Sequence, residues 1–203
     1  MVSSIAPVRA LPTVEVQAAP VRLALRLAPK DFGKTIPRDL QIEPHGEGVR
    51  LFATDGVTAV IIETAGHCAQ HLAIPTQALA HQLQRHSDAE IVAVTPTADG
   101  GDWSWRVRTF SAAMTCVSEM PRGETLDPSG IERVLEVAEP QERNEGGTWG
   151  VLALSSVQKL LGAKEGRLDR VDIRTVGTKG PLVVTFTGEG FTGTVLVMRL
   201  ERK

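Results

Sequence analysis

The chain is poor in the features that mark several common classes of protein. Its cysteines number two, Cys68 and Cys116, with no C-x-x-C pair, so neither a disulfide framework nor a zinc ribbon organises it, and a reducing, cytoplasmic setting is expected. No long apolar run suggests a membrane span. Residues 1–20 carry prolines among alanines and valines in place of a signal peptide's continuous apolar stretch, and read as a flexible N-terminal tail. Excess positive charge is also missing: the formal net charge is -2, so contact with nucleic acid would have to come from a local basic surface. Catalytic signatures are absent too. There is no G-x-S-x-G, no H-E-x-x-H and no readable nucleophile and base pair, which argues against an enzyme.

Three motifs tempt a catalytic or ligand reading. Gly188, Gly190 and Gly193 have the G-x-G-x-x-G spacing of a dinucleotide loop, but only ten residues follow, too few for a helix, a second strand and a ribose-binding acid. A hairpin between GPLVVTF and TVLVMRL, its connection relaxed by glycine, is the better expectation. APKDFGKT, residues 28–35, fits a loose phosphate-loop pattern in which Lys34 and Thr35 would serve a nucleotide-binding enzyme, yet Pro37 interrupts the helix such a loop requires. His67, Cys68 and His71, with Cys116 as a distant fourth donor, match no closed zinc spacing, and a polar loop before a strand explains them better. No cofactor or metal is expected.

With 203 residues and 42% hydrophobic content, the chain can bury a substantial core. VRLFATDGVTAVII is two β-patterned runs joined at Asp55-Gly56, a strong hairpin signal. IPTQALAHQLQRH follows as a helix with Leu79 and Leu83 one turn apart, and EIVAVTP, WSWRVRTF and AAMTCVSEM as three strands. LALSSVQKLLGAKEG then reads as a second helix, with Ser155 and Gln158 at capping-box spacing and Gly166 at its end, followed by strands RVDIRTV, GPLVVTF and TVLVMRL. Between the two sets, residues 127–145 hold six carboxylates against Arg133 and Arg143, whereas residues 147–203 hold nine Lys or Arg against five carboxylates. This divides the chain into a tail (1–20), a first module (21–122), an acidic linker (123–146) and a shorter second module (147–203). The exposed helix faces, Gln77, His81, Gln84 and Arg85 on the first, Gln158, Lys159 and Lys164 on the second, are nearly free of carboxylates, as a surface near phosphate would need.

These segments resemble the sliding DNA clamps, most closely the bacterial DNA polymerase III beta-type clamp, in a shortened form. VRLFATDGVTAVI is similar to the family's strand pair bearing Ala-Thr-Asp. HLAIPTQALAHQLQRH is similar to the helix after it, and FSAAMTCVSEMP to the strand that ends the module. GPLVVTFTGEGFTGTVLVMRL resembles the terminal hairpin, closing here with Met198, Arg199 and Leu200.

The resemblance implies an α+β fold of DNA-clamp-like modules, with curved antiparallel sheets outside and helices on the inner face. It implies a non-enzymatic processivity factor for DNA replication that tethers a polymerase or other clamp-binding protein. Non-specific contacts to double-stranded DNA would come from Arg85, Lys159, Lys164, Arg167 and Arg170, and partner peptides would bind beside Val197, Met198 and Leu200. A homo-oligomeric ring, trimer or dimer, would close by edge-to-edge strand pairing. The alternative is a clamp-fold interaction module that binds partner peptides without circling DNA.

Overall fold

A computed structural model describes residues 13–28, 39–54, 58–97, 104–126, 168–175 and 181–197, together with Arg133, Glu136, Gln158 and Gly162. The elements run β1 (Val14–Gln17), α1 (Ala18–Leu27), β2 (Asp39–His45), β3 (Gly48–Thr54), β4 (Thr58–Thr64), β5 (Gly66–Cys68), β6 (Leu72–Pro75), α2 (Thr76–Arg85), β7 (Ile91–Pro96), β8 (Ser104–Phe110), β9 (Thr115–Pro121), β10 (Leu168–Thr175), β11 (Leu182–Gly188) and β12 (Phe191–Val197). They build an α+β fold with two antiparallel sheets. The five-stranded sheet A has the order β5-β1-β7-β8-β9, and the seven-stranded sheet B the order β10-β11-β12-β4-β3-β2-β6.

Residues 14–121 contain one pattern twice, a strand, a helix and three strands: β1-α1-β2-β3-β4, then β6-α2-β7-β8-β9. Each first strand crosses to the other half's sheet, β1 pairing with β7 and β6 with β2. The exchange stitches the halves together through backbone hydrogen bonds as well as side-chain packing. β12 then pairs with β4 from Phe191 opposite Thr64 to Val197 opposite Thr58, so the C-terminal strands continue sheet B.

The central core lies between the sheets and helices. Leu51, Val60 and Ile62 of sheet B meet Leu23 and Leu27 of α1, Leu79 and Leu83 of α2, and Val94, Trp105 and Val107 of sheet A. α1 packs on β3, β4 and α2, while α2 packs on β6 and β9. α1 is buried around most of its circumference, including Pro20, Val21, Leu23, Ala24 and Leu25. A helix apolar on nearly every side belongs inside a core. Residues 14–20, read in sequence as the end of a flexible tail, are therefore β1 and the opening turn of this central helix. Their own side chains explain it: Val14, Val16 and Ala18 are all buried.

The terminal hairpin accounts for the glycine spacing in two ways. Gly190 has φ 77° and sits in the turn between Gly188 and its cross-strand partner Phe191, where positive φ favours glycine. Gly188 and Gly193 are not positive-φ residues. A Cβ at Gly188 would lie 2.3 Å from the Phe191 ring, and one at Gly193 would lie 2.2 Å from that of Phe186. The two rings lie over bare backbone and meet edge to face at 6.4 Å. The apparent dinucleotide motif is thus one turn glycine and two glycines under aromatic rings.

Candidate nucleic-acid and partner interface

α2 offers a helical face to solvent. Gln77, His81, Gln84 and Arg85 are exposed, while Leu79, Gln82 and Leu83 are buried, as the helical projection of the sequence predicts. Its C-terminal end is held firmly. Arg22 of α1 donates to His86 O and Ala89 O, each at 2.9 Å, placing a cation and two donors just past the helix C-terminus, where His86 O also accepts from Ala89 N–H at 3.2 Å. Gln82 Nε2 donates to Val107 O at 3.1 Å, and His86 Nδ1 lies 2.8 Å from Thr109 Oγ1, locking the helix to β8. Arg85 therefore projects from a fixed surface. The cations of α1 are committed elsewhere, Arg26 donating to Gly162 O at 2.7 Å.

Arg170 does not share that face. On β10 it stands opposite Thr187, while its neighbour Val171 packs towards the central core. Alternation turns Arg170 to the outer face of sheet B, away from the helices. There it borders a concavity of about 500 Å³ with Asp172, Glu63 and the paired Thr187 and Thr192. The structure thus separates two cations that charge counting grouped together. Lys159, Lys164 and Arg167 lie outside the described residues. So do Lys34 and Thr35.

The outer face of sheet B also holds a second apolar cluster: Phe52, Ala59, Ile61, Val183 and Leu196, with Leu126 packed against it. Val197 points the other way, into the central core, so on β12 it is Leu196 that reaches the outer face. Met198 and Leu200 lie outside the described residues. Leu196 belonged to the same terminal apolar run in the sequence. Which of its alternate residues faced outwards was not readable without knowing what covers the strand.

Residues 122–126, just after β9, cross this face without joining a strand. Gly123 N–H donates to Ala73 O at 3.0 Å and Glu124 N–H to Asp39 Oδ2 at 2.8 Å. The Gln41 side chain donates from Nε2 to Glu124 O at 3.0 Å and accepts at Oε1 from Leu126 N–H at 3.0 Å. Its amide thus serves two backbone groups, as a neighbouring strand would. His71 Nε2 approaches Gln41 Oε1 at 3.0 Å, a role unrelated to metal. Among the described residues no cluster of His, Cys, Asp and Glu is arranged to hold a metal ion. Burial pushes the Cys68 thiol up to about 11, against a backbone hydrogen bond from Gln70 that lowers it and with the Glu43 carboxylate adding to the rise.

The sheets also end in exposed apolar side chains. Among the described residues the large exposed hydrophobics are Met114, Val117 and Ile173, each 50% or more accessible. Val117 lies on β9 and Ile173 on β10, the outermost described strands at one end of sheet A and one end of sheet B. Unpaired edges are templates for further strand pairing.

No protein-family model matches the chain, and no curated protein matches it in sequence. Among solved structures, it resembles the crystal structure of proliferating cellular nuclear antigen from Entamoeba histolytica, with a TM-score of 0.59 and 12% identity over 94% of this chain and 100% of that one. The fold is that of a sliding clamp. At this identity the likeness concerns architecture, and it spans nearly the whole chain. Among the described residues no helix is long and apolar enough to cross a membrane.

Proposed function

We propose that the chain is a sliding-clamp-like processivity factor that holds a DNA enzyme on double-stranded DNA through non-specific phosphate contacts and has no catalytic role of its own. The observation that carries this reading is the clamp-like fold over nearly the whole chain. It is supported by the firmly held α2 face of Gln77, His81, Gln84 and Arg85, which carries no carboxylate. In this reading Arg85, Lys159, Lys164 and Arg167 contribute phosphate contacts. Arg170, on the opposite side of sheet B, contributes only where DNA or a partner reaches the outer face. The Ala53-Thr54-Asp55 and Met198-Arg199-Leu200 segments favour the bacterial beta-type branch in a shortened form.

Assembly into a homo-oligomeric ring would pair β9 of one copy with β10 of the next. Such a head-to-tail contact closes only when the rotation per subunit suits a trimer or dimer. The direct test of DNA contact is equilibrium binding to duplex DNA across a salt series. Replacing Arg85, Lys159, Lys164 and Arg167 with Gln should weaken association and flatten its salt dependence. An unchanged slope would contradict the assignment.

A second reading rests on a separate observation, the outer-face cluster of Phe52, Ile61, Val183 and Leu196. Its side chains are almost fully buried and Leu126 packs on them, so in this reading a partner peptide binds here in place of the chain's own cover. The two readings are compatible: the inner face for DNA, the outer face for partners.

A further inference from the structure

Of the five histidines in the chain, His81 alone stands on the open face of α2. The others are placed elsewhere. His45 Nε2 lies 3.1 Å from Glu63 Oε1 and 3.1 Å from an Arg50 nitrogen, on the strands of sheet B. His71 meets Gln41, and His67 stands opposite Glu15 where β5 pairs with β1. His86, just past α2, is buried with Nδ1 on Thr109. His81 is exposed in the middle of the helix and makes no hydrogen bond or ion pair among the described residues. Gln77 and Arg85 lie one turn away on either side, and Gln84 completes the face.

Charged groups on the elements packed against α2 point away from this face. β6 carries none. On α1, Arg22 is bonded beyond the end of α2 and Arg26 to Gly162 O. Glu119 of β9 pairs with Arg106 of β8 at 3.0 Å, and Arg108 of β8 lies over the Phe110 ring, all alternating with the inward residues of sheet A. Asp88 and Glu90 follow in the loop after α2, with Asp88 Oδ1 3.5 Å from His86 Nε2. No carboxylate of α2 itself competes for a cation at His81.

From this placement we infer that DNA association is coupled to proton uptake at His81, so that the α2 face holds duplex DNA more tightly as the pH falls from about 8 to about 6. Histidine is the side-chain type that changes charge in that range. A phosphate drawn in by Arg85 comes within reach of a side chain one turn away, and an anion beside an imidazole favours its charged form. The new cation then releases a further counterion from the DNA. Because α2 is locked to β8 through Gln82 and His86, His81 and Arg85 keep their spacing and act on phosphate together. The inference rests on the DNA-binding reading of α2 and adds to it a regulation by pH.

The test is equilibrium binding of the full chain to a rhodamine-labelled duplex at pH about 8 and about 6, each across a salt series. The native chain should bind about fivefold more tightly at the lower pH, with a salt slope steeper by up to about 0.9 for each His81 engaged. Calorimetry near neutral pH should give binding heats that vary with the ionisation enthalpy of the buffer, which reports the proton taken up. His81→Gln should lose most of the gain at low pH and most of the buffer dependence, whereas His81→Lys should bind tightly at both pH values. The site is exposed, so both variants should fold, and thermal melting checks this. Binding by the native chain that ignores pH, or a pH dependence that survives His81→Gln, would overturn the inference while leaving DNA binding intact. A native chain that binds no duplex at either pH would overturn the DNA reading and this inference with it.

Discussion

The two faces of sheet B are made by alternate residues of the same strands, yet they differ in kind. The inner face is apolar along its middle, from Ile42 and Leu51 through Ile62 and Val195 to Val184. The outer face is divided. Where Leu126 packs on it, it is apolar and buried, at Phe52, Ile61 and Leu196. Away from Leu126 it turns polar, with Thr185 opposite Thr194 and Thr187 opposite Thr192. The sequence carries the same division: TAVIIET in β4 is almost continuously apolar, whereas TFTGEGFTGT alternates. Continuous runs mark strands covered on both sides and alternation marks strands wet on one side. The covered half of the outer face is therefore part of the design, and what covers it bears on function.

Several substitutions would break or sharpen this contrast. The largest effect belongs to the inner face: Leu51→Ala should cost about 3–5 kcal/mol, whereas Leu196→Ala in the small outer cluster should cost about 2 kcal/mol, both within the range for buried leucine truncation. Equal losses in denaturant unfolding would mean that the two faces contribute alike. Gly193→Ala should destabilise by about 1–3 kcal/mol through overpacking against the buried Phe186 ring, and the penalty should shrink in a Phe186→Leu background. A penalty unaffected by that background would place the strain elsewhere, for instance at Ile61 O. Gln41→Ala should cost about 1–2 kcal/mol for its lost hydrogen bonds. It should also speed amide exchange at Leu126 while the strand amides stay protected.

The smallest effect lies at Cys68, on the periphery of the core. Its thiol is raised from 9.0 to about 11, so the folded state keeps a proton that the unfolded state loses between those values, and stability should fall as pH rises through that window. Alkylation at pH 8 should be slower in native than in unfolded protein. Equal rates would show that Cys68 is more open than its surroundings imply.

Much of the fold was legible in the sequence. The antiparallel pairing of β3 with β4, α2 and the strands β7 to β12 all follow from alternation, turn residues and helical spacing. α1 was not legible because its only charged residues, Arg22 and Arg26, interrupt a short apolar run that reads equally well as a buried strand. β1 was lost among prolines and alanines. The DNA-facing candidates were only partly legible, since charge counting has no sense of facing: Arg85 lies on the helical side and Arg170 on the other. The anchoring of residues 122–126 was invisible, because it depends on Gln41 meeting Glu124 and Leu126 83 and 85 positions away. No local pattern records such a contact.

The central claim is that this is a clamp-like subunit whose β9 and β10 edges join copies into a ring. Absolute mass by light scattering after gel filtration, over a wide range of protein concentration, tests it most directly. The account predicts a trimer or dimer that holds its mass on dilution and falls to monomer when Val117→Lys and Ile173→Lys are combined, since lysine on an edge strand opposes pairing. A native chain that is monomeric at every concentration, or an oligomer indifferent to both substitutions, would contradict it.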